Sequence, residues 1–308
     1  MLSYILRRLA LMVPTLIGMT LILFAIVRFA PGVAGSGGFG PGGAMRDRQA
    51  REAEERAIKE RLHLVDQNGR PISLPMQYVR WLAASATGDF GESVEYNQRV
   101  WDLLKERLPV TIILNLISSL VVYLIAIPGG MLAAVRRGRA FDVGWNFVTL
   151  ALFSLPIIWV GGMMVGFLAN PRYLDWFPAE GTHATSTEWM TSWQYLGDYL
   201  WHITMPVICL SYAGFAYLSK IQRAAMLDNL GLDYVRTARA KGVSETVVVT
   251  RHVFRNSLLP MITLFAGIIP GLLGGSVVVE HIFSIKGMGD LILTATLARD
   301  LPVVQAVA

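Results

Sequence analysis

The chain has 308 residues, of which 54% are apolar and 16% are charged, and its mean hydropathy is +0.48. A soluble domain usually carries about 25% charged residues, so this composition argues against a soluble protein. The single cysteine, Cys209, leaves no disulfide to form within the chain. The formal net charge of +5 is better explained by basic loops on one side of a membrane than by a nucleic-acid partner, and we expect none.

The low charge content comes from five long runs that contain no Asp, Glu, Lys or Arg. About 20 apolar residues cross a bilayer as a helix, so each run is a candidate span. The sequence therefore predicts an all-α polytopic membrane protein whose five clear spans lie within residues 9–27, 108–135, 143–171, 199–219 and 256–279. A further apolar run starts at Leu301 and is only eight residues long, so we expect a sixth span to be missing or truncated.

Lys and Arg lie mainly on one side of these predicted spans. The N-terminus and the loops on its side carry twelve, whereas the opposite short loops carry three, namely Arg172, Lys286 and Arg299. Short loops rich in Lys and Arg stay in the cytoplasm, so the N-terminus is predicted to be cytoplasmic. The same rule places residues 220–255, which we call the basic loop, in the cytoplasm and the long loop at 31–107 outside.

The long outer loop has three parts by composition. Residues 32–43 are rich in glycine and predicted to be flexible, and residues 46–64 predict a charged surface helix. The third part and the second outer loop are rich in aromatic residues, which favours either anchoring at the membrane interface or contact with an external partner. These residues are Tyr78, Trp81, Phe90, Tyr96 and Trp101, then Tyr173, Trp176, Phe177, Trp189, Trp193, Tyr195 and Trp201.

The basic loop holds seven of the 27 Lys and Arg against three acids. Its apolar residues recur at helical spacing from 227 to 240, Gly242 allows a sharp bend, and Ser244 is a suitable cap for a second short helix. Apolar side chains surrounded by basic ones favour a segment that inserts into a groove of a soluble partner over a loop that only connects two spans. We expect the second helix to present Val247, Val248, Val249, Val253 and Phe254 beside Arg251, His252 and Arg255.

Prolines and glycines within the predicted spans favour bends or close helix packing. A proline removes a backbone donor, and glycines four residues apart let membrane helices approach closely. Packing alone explains such residues, and the alternative is a helix that moves or lines a pathway. The candidate hinge or pathway residues are Pro128, Pro156, Gly267, Gly271, Gly274 and Gly275.

Several kinds of chemistry are missing from the sequence. No lysine follows a glycine, so there is no phosphate-binding loop, and no Cys/His cluster has metal-ligand spacing. We therefore predict no enzyme activity, no catalytic residue, no metal and no cofactor. The interiors of the predicted spans also lack Asp, Glu, Lys and Arg, and His202 lies near the outer end of its span. This disfavours a self-contained secondary transporter or channel, which is the alternative function. A simple membrane scaffold would not need kinked, glycine-rich spans.

Two segments of the basic loop and its flank carry a family resemblance: RTARAKG at 236–242 and RNSLLP at 255–260. Together they resemble the coupling motif, often called EAA, of the membrane subunits of binding-protein-dependent ABC importers. The form is typical of the dipeptide, oligopeptide and nickel group. The likeness extends along most of the chain through RRLALMVPTLIGMTLILF at the start, Gln77-Tyr78 with Trp81, Gly88–Gly91, Arg107-Leu108-Pro109 with Thr111, Ser154-Leu155-Pro156, and Glu280 with Phe283, Gly287 and Gly289.

The resemblance implies the membrane domain of a type I ABC importer in a bacterial-type plasma (inner) membrane. It divides the chain into an N-terminal span (1–30), an external loop region (31–107) and a permease core (108–308) that carries the basic loop. Its implied partners are a second homologous permease, two ATP-binding subunits, an extracytoplasmic solute-binding protein and the lipid bilayer. The residues it implies for coupling to the ATPases are Arg236, Thr237, Ala238, Lys241, Gly242, Val247, Val248, Arg251, Arg255 and Asn256.

The resemblance favours a di- or oligopeptide as the substrate, with nickel, glutathione or short oligosaccharides as alternatives within the same group. Two departures from the family pattern stand out. The glycine-rich residues 35–43 replace the acidic residue that commonly follows Pro31-Gly32, and the expected sixth span is essentially absent.

Overall fold

A computed structural model of the chain describes residues 2–29, 72–184, 186 and 189–307. Helices dominate these residues, and β-type pairing within them is limited to one isolated antiparallel bridge between Glu92 and Arg99. The all-α prediction is confirmed for the part of the chain that the structure describes. The predicted glycine-rich segment at 32–43 and charged helix at 46–64 lie outside it.

The chain divides into two compact units, Met1–Arg107 with Leu291–Ala308, and Leu108–Asp290. The first unit contains helices at both ends of the chain and the start of a long helix that continues into the second unit. Its elements are α1 (Leu2–Phe29), α2 (Leu74–Ala86), the first turns of α3 (Val100–Val135), most of α13 (Met288–Ala298) and α14 (Leu301–Val307).

Aromatic packing joins α1 to α2 in the first unit. Phe24 contacts the rings of Tyr78 and Trp81, with centroids 5.5 and 6.0 Å apart, and the Tyr78 hydroxyl lies 2.9 Å from the Thr20 hydroxyl. Beyond α2, the buried Ser93 hydroxyl donates to the Asp300 carboxylate, which also accepts the Glu95 N–H. These contacts tie the segment between α2 and α3 to the start of α14.

The second unit is a set of apolar helices interrupted at proline, glycine and π-helical turns. Its buried core includes Leu114, Ile203, Met205, Val279 and Phe283. Its further elements are α4 (Ala140–Ser154), α5 (Ile157–Met163), a π-helical turn (Met164–Leu168), α6 (Ser192–Leu230), α7 (Asp233–Ala240), α8 (Glu245–Val247), a second π-helical turn (Val248–Val253), α9 (Phe254–Ser257), α10 (Leu259–Ala266), α11 (Ile268–Gly274) and α12 (Val277–Ile282).

Three helices among the described residues are long and apolar enough to cross a membrane. They are Leu6–Ile26, Val100–Val135 and Glu245–Gly274. A fourth span results if Ala140–Ser154 and Ile157–Leu168, which meet at a bend of 93°, are one broken span. The polytopic character that the sequence predicts is therefore present.

The remaining predicted span, at 199–219, lies inside the 39-residue helix α6. A capping box begins this helix: the Thr191 hydroxyl accepts the Gln194 N–H, and the Gln194 side chain accepts the Thr191 N–H. The run contains Trp201 and His202 as well as several tyrosines, which lower its mean hydropathy below that of the other spans. This fifth span stays a prediction.

Candidate functional site

The basic loop forms two short helices around a glycine turn. Helix α7 ends at Ala240, Gly242 has φ +75°, and the next helix begins at Glu245 with Ser244 in the N-cap position. The Val243 N–H bonds to the Ala238 carbonyl, as expected where a left-handed residue ends a helix. The predicted bend at Gly242 is confirmed. Ser244 stands where a cap was predicted but makes no side-chain capping bond.

A small apolar core supports these helices from within. Val235, Val248 and Val253 are fully buried, and Ala238 and Val249 are nearly so. They pack against Met226 of α6 and Ala134 near the end of α3. The expectation that the valines at 247–253 face outward is therefore wrong for Val248, Val249 and Val253, because they fill the core of the loop itself.

The outer surface of the loop is polar and mainly basic. Among the residues predicted to couple to a partner, Ala238 and Val248 are buried, and the exposed ones are Arg236, Thr237, Lys241, Gly242, Val247, Arg251, Arg255 and Asn256. Val247 is 39% exposed and is the one valine of the 247–249 run that reaches the surface. This surface offers basic groups around a small apolar patch.

An ion pair crosses the glycine turn. The Arg239 guanidinium donates to both carboxylate oxygens of Glu245, at 2.9 and 2.6 Å, and these hydrogen bonds raise the pKa of Arg239. Two-point contact of this kind fixes the orientation of both side chains. It holds α7 and α8 in one arrangement on either side of Gly242.

The candidate hinge residues fall into two groups. Pro128 lies inside α3, which continues unbroken to Val135, and Gly271 lies within α11. The others stand at breaks: Pro156 caps α5 at the 93° bend, Gly267 separates α10 from α11, Gly274 ends α11, and Gly275 follows it with φ +70°. The structure thus places four of the six candidates at the ends of helical segments, and the one at Pro156 coincides with the 93° bend.

Among the residues that the structure describes, no other helix packs against Gly267 or Gly271. No atom lies within 4 Å of a Cβ built at Gly271, and the neighbour at Gly267 is the carbonyl of Leu264, one turn back. Close approach occurs instead at Gly130, where a Cβ would be 2.6 Å from the Ser219 carbonyl of α6. The sequence interpretation missed this contact, because spacing alone does not show which face of a helix meets a neighbour.

The sequence interpretation also missed an ion pair between α4 and α6. The Arg223 guanidinium donates to both oxygens of Asp142, at 2.6 and 2.8 Å, and the carboxylate also accepts the Gly138 N–H. One turn away, the Trp145 ring N–H donates to the Ser219 hydroxyl. The sequence analysis counted Arg223 among the charges of the basic loop, and only the fold reveals that it pairs with Asp142.

A third group surrounds Glu280, which is fully buried. Its carboxylate accepts four hydrogen bonds: from the Thr111 hydroxyl, and from the backbone N–H groups of Ser276, Gly289 and Asp290. The Thr111 hydroxyl in turn accepts the Met288 N–H at 2.7 Å. The resemblance had marked Glu280 as typical of the family, but without a role.

The fold and the loop together define a polytopic helical membrane protein with a structured basic loop between spans. The family profile described as "Binding-protein-dependent transport system inner membrane component" matches residues 126–308, which include the basic loop and Glu280. The chain belongs to this family, which is a membrane transport family and not an enzyme family.

Similar proteins cover nearly all of the chain. The oligopeptide transport system permease protein AppB of Bacillus subtilis is 36% identical over 307 residues, 99% of this chain and 91% of that protein. The peptidoglycan transport system permease protein YejB of Agrobacterium fabrum is 33% identical over 98% of this chain and 90% of its own length. The di/tripeptide transport system permease protein DppB of Pseudomonas aeruginosa is 35% identical, over 99% and 90%.

Proposed function

We propose that this chain is one of two homologous permease subunits of an ATP-driven importer of di- or oligopeptides. In the proposed complex, an extracytoplasmic binding protein delivers the solute, and two cytoplasmic ATPase subunits supply the energy. The chain forms half of the translocation pathway and itself changes no covalent bond. The names of AppB and DppB, at 36% and 35% identity over 99% of the chain, support a peptide as the substrate.

The observation that carries the coupling role is the construction of the basic loop. Its helices rest on their own apolar core, so the loop holds its shape without a partner. Its exposed residues remain available to a soluble protein, and Arg236, Lys241 and Val247 lie on this free surface. Because the basic loop is already folded, it loses little conformational entropy when it docks. It would also transmit a movement of the docked ATPase subunit to the spans without deforming.

Reconstitution tests the proposal. Proteoliposomes that contain this chain, the second homologous permease, both ATPase subunits and the binding protein should accumulate labelled dipeptide when ATP is supplied on the side of the ATPase subunits. Proteoliposomes with this chain alone, given a pH gradient, should accumulate none. Uptake by the single chain would instead favour a secondary transporter. Competition by nickel, glutathione or an oligosaccharide, but not by peptides, would reassign the substrate.

The orientation is proposed separately, with the N-terminus and the basic loop in the cytoplasm. Cys209, the natural cysteine, is buried, which makes single-cysteine labelling practicable. After Cys209→Ser, a membrane-impermeant maleimide should label Trp193→Cys in intact cells, since Trp193 is 82% exposed in the first turn of α6, at the end that we propose lies outside. Thr250→Cys in the basic loop should react only after the membrane is opened. The reverse labelling would invert the topology.

A further inference from the structure

The segment from Gly275 to Asp290 folds around the Glu280 carboxylate. Two glycines make room for it: a Cβ at Gly275 would lie 2.7 Å from Glu280 Oε1, and one at Gly287 would overlap Oε2. A Cβ at Gly289 would lie 2.6 Å from the Val277 backbone nitrogen. The segment therefore has one arrangement, which is set by the hydrogen bonds to this carboxylate.

The carboxylate also attaches this segment to α3. The Thr111 hydroxyl bridges it, because it donates to Glu280 at 3.1 Å and accepts the Met288 N–H. The same segment holds the second outer loop, since the Gly181 N–H donates to the Phe283 carbonyl at 2.9 Å. We call the group formed by Thr111, residues 275–290 and Gly181 the outer node.

Helix α3 leads from the outer node to the basic loop. Thr111 and Ala134 lie 23 residues apart on this helix, which corresponds to about 35 Å. Ala134 is 2% exposed and belongs to the apolar core of the basic loop, with Val235 and Val248. The helix is unbroken between these two points although it contains Pro128. If this helix moves as a rigid rod, a displacement of the loop core would reach Thr111 and the outer node.

We propose that Thr111 and Glu280 are positioning residues that join the outer node to α3, so that the movement of the basic loop reaches the outer face of the permease. This inference rests on the proposed function, because it assigns the ATPases as the source of that movement. The backbone N–H groups and the Thr111 hydroxyl all donate, so an acceptor-only carboxylate fits all four bonds. A glutamine amide would set at least one N–H against another.

The test uses the complete reconstituted complex and four variants of this chain. Glu280→Gln and Thr111→Val disrupt the hydrogen bond between Thr111 and Glu280 that joins α3 to the outer node, and Thr111→Ser keeps the hydroxyl. Ser118→Ala is the matched control: Ser118 is buried on α3, seven residues after Thr111, and within the described part of the chain its hydroxyl donates only to the Leu114 carbonyl of its own helix. Each complex is assayed for abundance, basal ATP hydrolysis, stimulation of hydrolysis by loaded binding protein, and peptide uptake.

We expect Glu280→Gln and Thr111→Val to reduce uptake and stimulation about tenfold or more, the scale of a lost hydrogen bond to a charged group. Abundance and basal hydrolysis should stay within about twofold of the unmodified complex, and Thr111→Ser and Ser118→Ala should behave as unmodified. Uptake and stimulation should be no lower for the double variant Glu280→Gln/Thr111→Val than for Glu280→Gln alone, because both substitutions disrupt the same connection between α3 and the outer node.

Normal uptake by Glu280→Gln and Thr111→Val would overturn the inference. A parallel loss of abundance, basal hydrolysis and uptake would also overturn it, because that result assigns a purely structural role. If Glu280→Gln does not assemble, the contrast between Thr111→Val and Thr111→Ser decides. Failure of the unmodified complex to show ATP-dependent uptake would contradict the proposed function instead, so the two failures are distinguishable.

Discussion

The basic loop and the outer node stabilise irregular backbone in opposite ways. The basic loop buries valines and exposes its charges, with Val248 inside and Arg236 outside. The outer node buries a carboxylate and surrounds it with backbone donors and glycines. Apolar burial is non-directional and tolerates small shifts, whereas a buried charge requires every hydrogen bond. The loop should therefore tolerate substitution better than the outer node does.

The largest effect is expected for Gly275→Ala in the outer node. With φ +70° and ψ 179°, Gly275 occupies a region that is open essentially to glycine alone, and its added Cβ would meet Glu280 and Gly289. We expect a loss of about 3 kcal/mol or more from this strain and the broken hydrogen bonds. Uptake by the reconstituted complex and thermal unfolding in detergent should both fall sharply.

Gly271→Ala is the matched control for that variant, since no atom lies within 4 Å of its Cβ position. It should leave stability unchanged or slightly improved, as alanine favours a helix more than glycine does. Equal behaviour of the two variants would show that the outer node tolerates substitution as well as its surroundings do.

The second effect is expected for Gly242→Val in the basic loop. The side chain would enter open space, so the penalty comes from φ +75° alone and amounts to about 1–2 kcal/mol. Gly138 has φ +76° and is equally open, so Gly138→Val applies the same strain between α3 and α4. Uptake at equal membrane abundance should fall several-fold for Gly242→Val and clearly less for Gly138→Val. Equal losses would mean that strain, and not coupling, is responsible.

The third effect separates the core of the loop from its surface. Val248→Ala deletes buried methyl groups and should cost about 1–2 kcal/mol, whereas Val247→Ala removes a side chain that is 39% exposed and should cost little. Limited proteolysis of the loop should accelerate for Val248→Ala only. When binding of the ATPase subunits to the permease is measured, the order of the two variants should reverse. Val247→Ala should weaken ATPase binding more than Val248→Ala does, relative to the stability that each variant loses.

The smallest effect is expected for the ion pair across the glycine turn. Arg239 and Glu245 are 42% and 59% exposed, so either alanine substitution should change stability by about 1 kcal/mol or less. The exchange variant Arg239→Glu/Glu245→Arg should recover the stability that each single reversal loses, measured by thermal unfolding at low salt. Loss of ATPase docking in the stable exchange variant would show that Arg239 itself contacts the partner.

Comparison of these regions shows what was predictable from the sequence. The turn at Gly242 and the helix start after Ser244 follow from local backbone preferences, so they were correctly predicted. The inward orientation of Val248 and Val253 was not, because a π-helical turn at Val248–Val253 shifts the face that each side chain occupies. A pattern based on regular helical spacing cannot anticipate that shift.

The polar pairs could not be predicted from the sequence, for a different reason. Asp142 and Arg223 are 81 residues apart, and Thr111 and Glu280 are 169 apart. Each pair forms only because two helices adopt a particular rotation and height relative to each other. Neither spacing nor composition carries that information, and both pairs looked like ordinary residues at the ends of spans.

The sequence by itself determined the all-α membrane class, the apolar spans, the basic loop with its glycine turn, and the family. The first three follow from hydropathy, charge distribution and backbone preference, which are properties of neighbouring residues, and the family follows from the resemblance of particular motifs. Only the tertiary structure decided which valines support the loop, which glycines meet another backbone, and where the Glu280 carboxylate finds its donors. Those outcomes depend on how distant helices pack, and packing sums many weak contacts that no local segment contains.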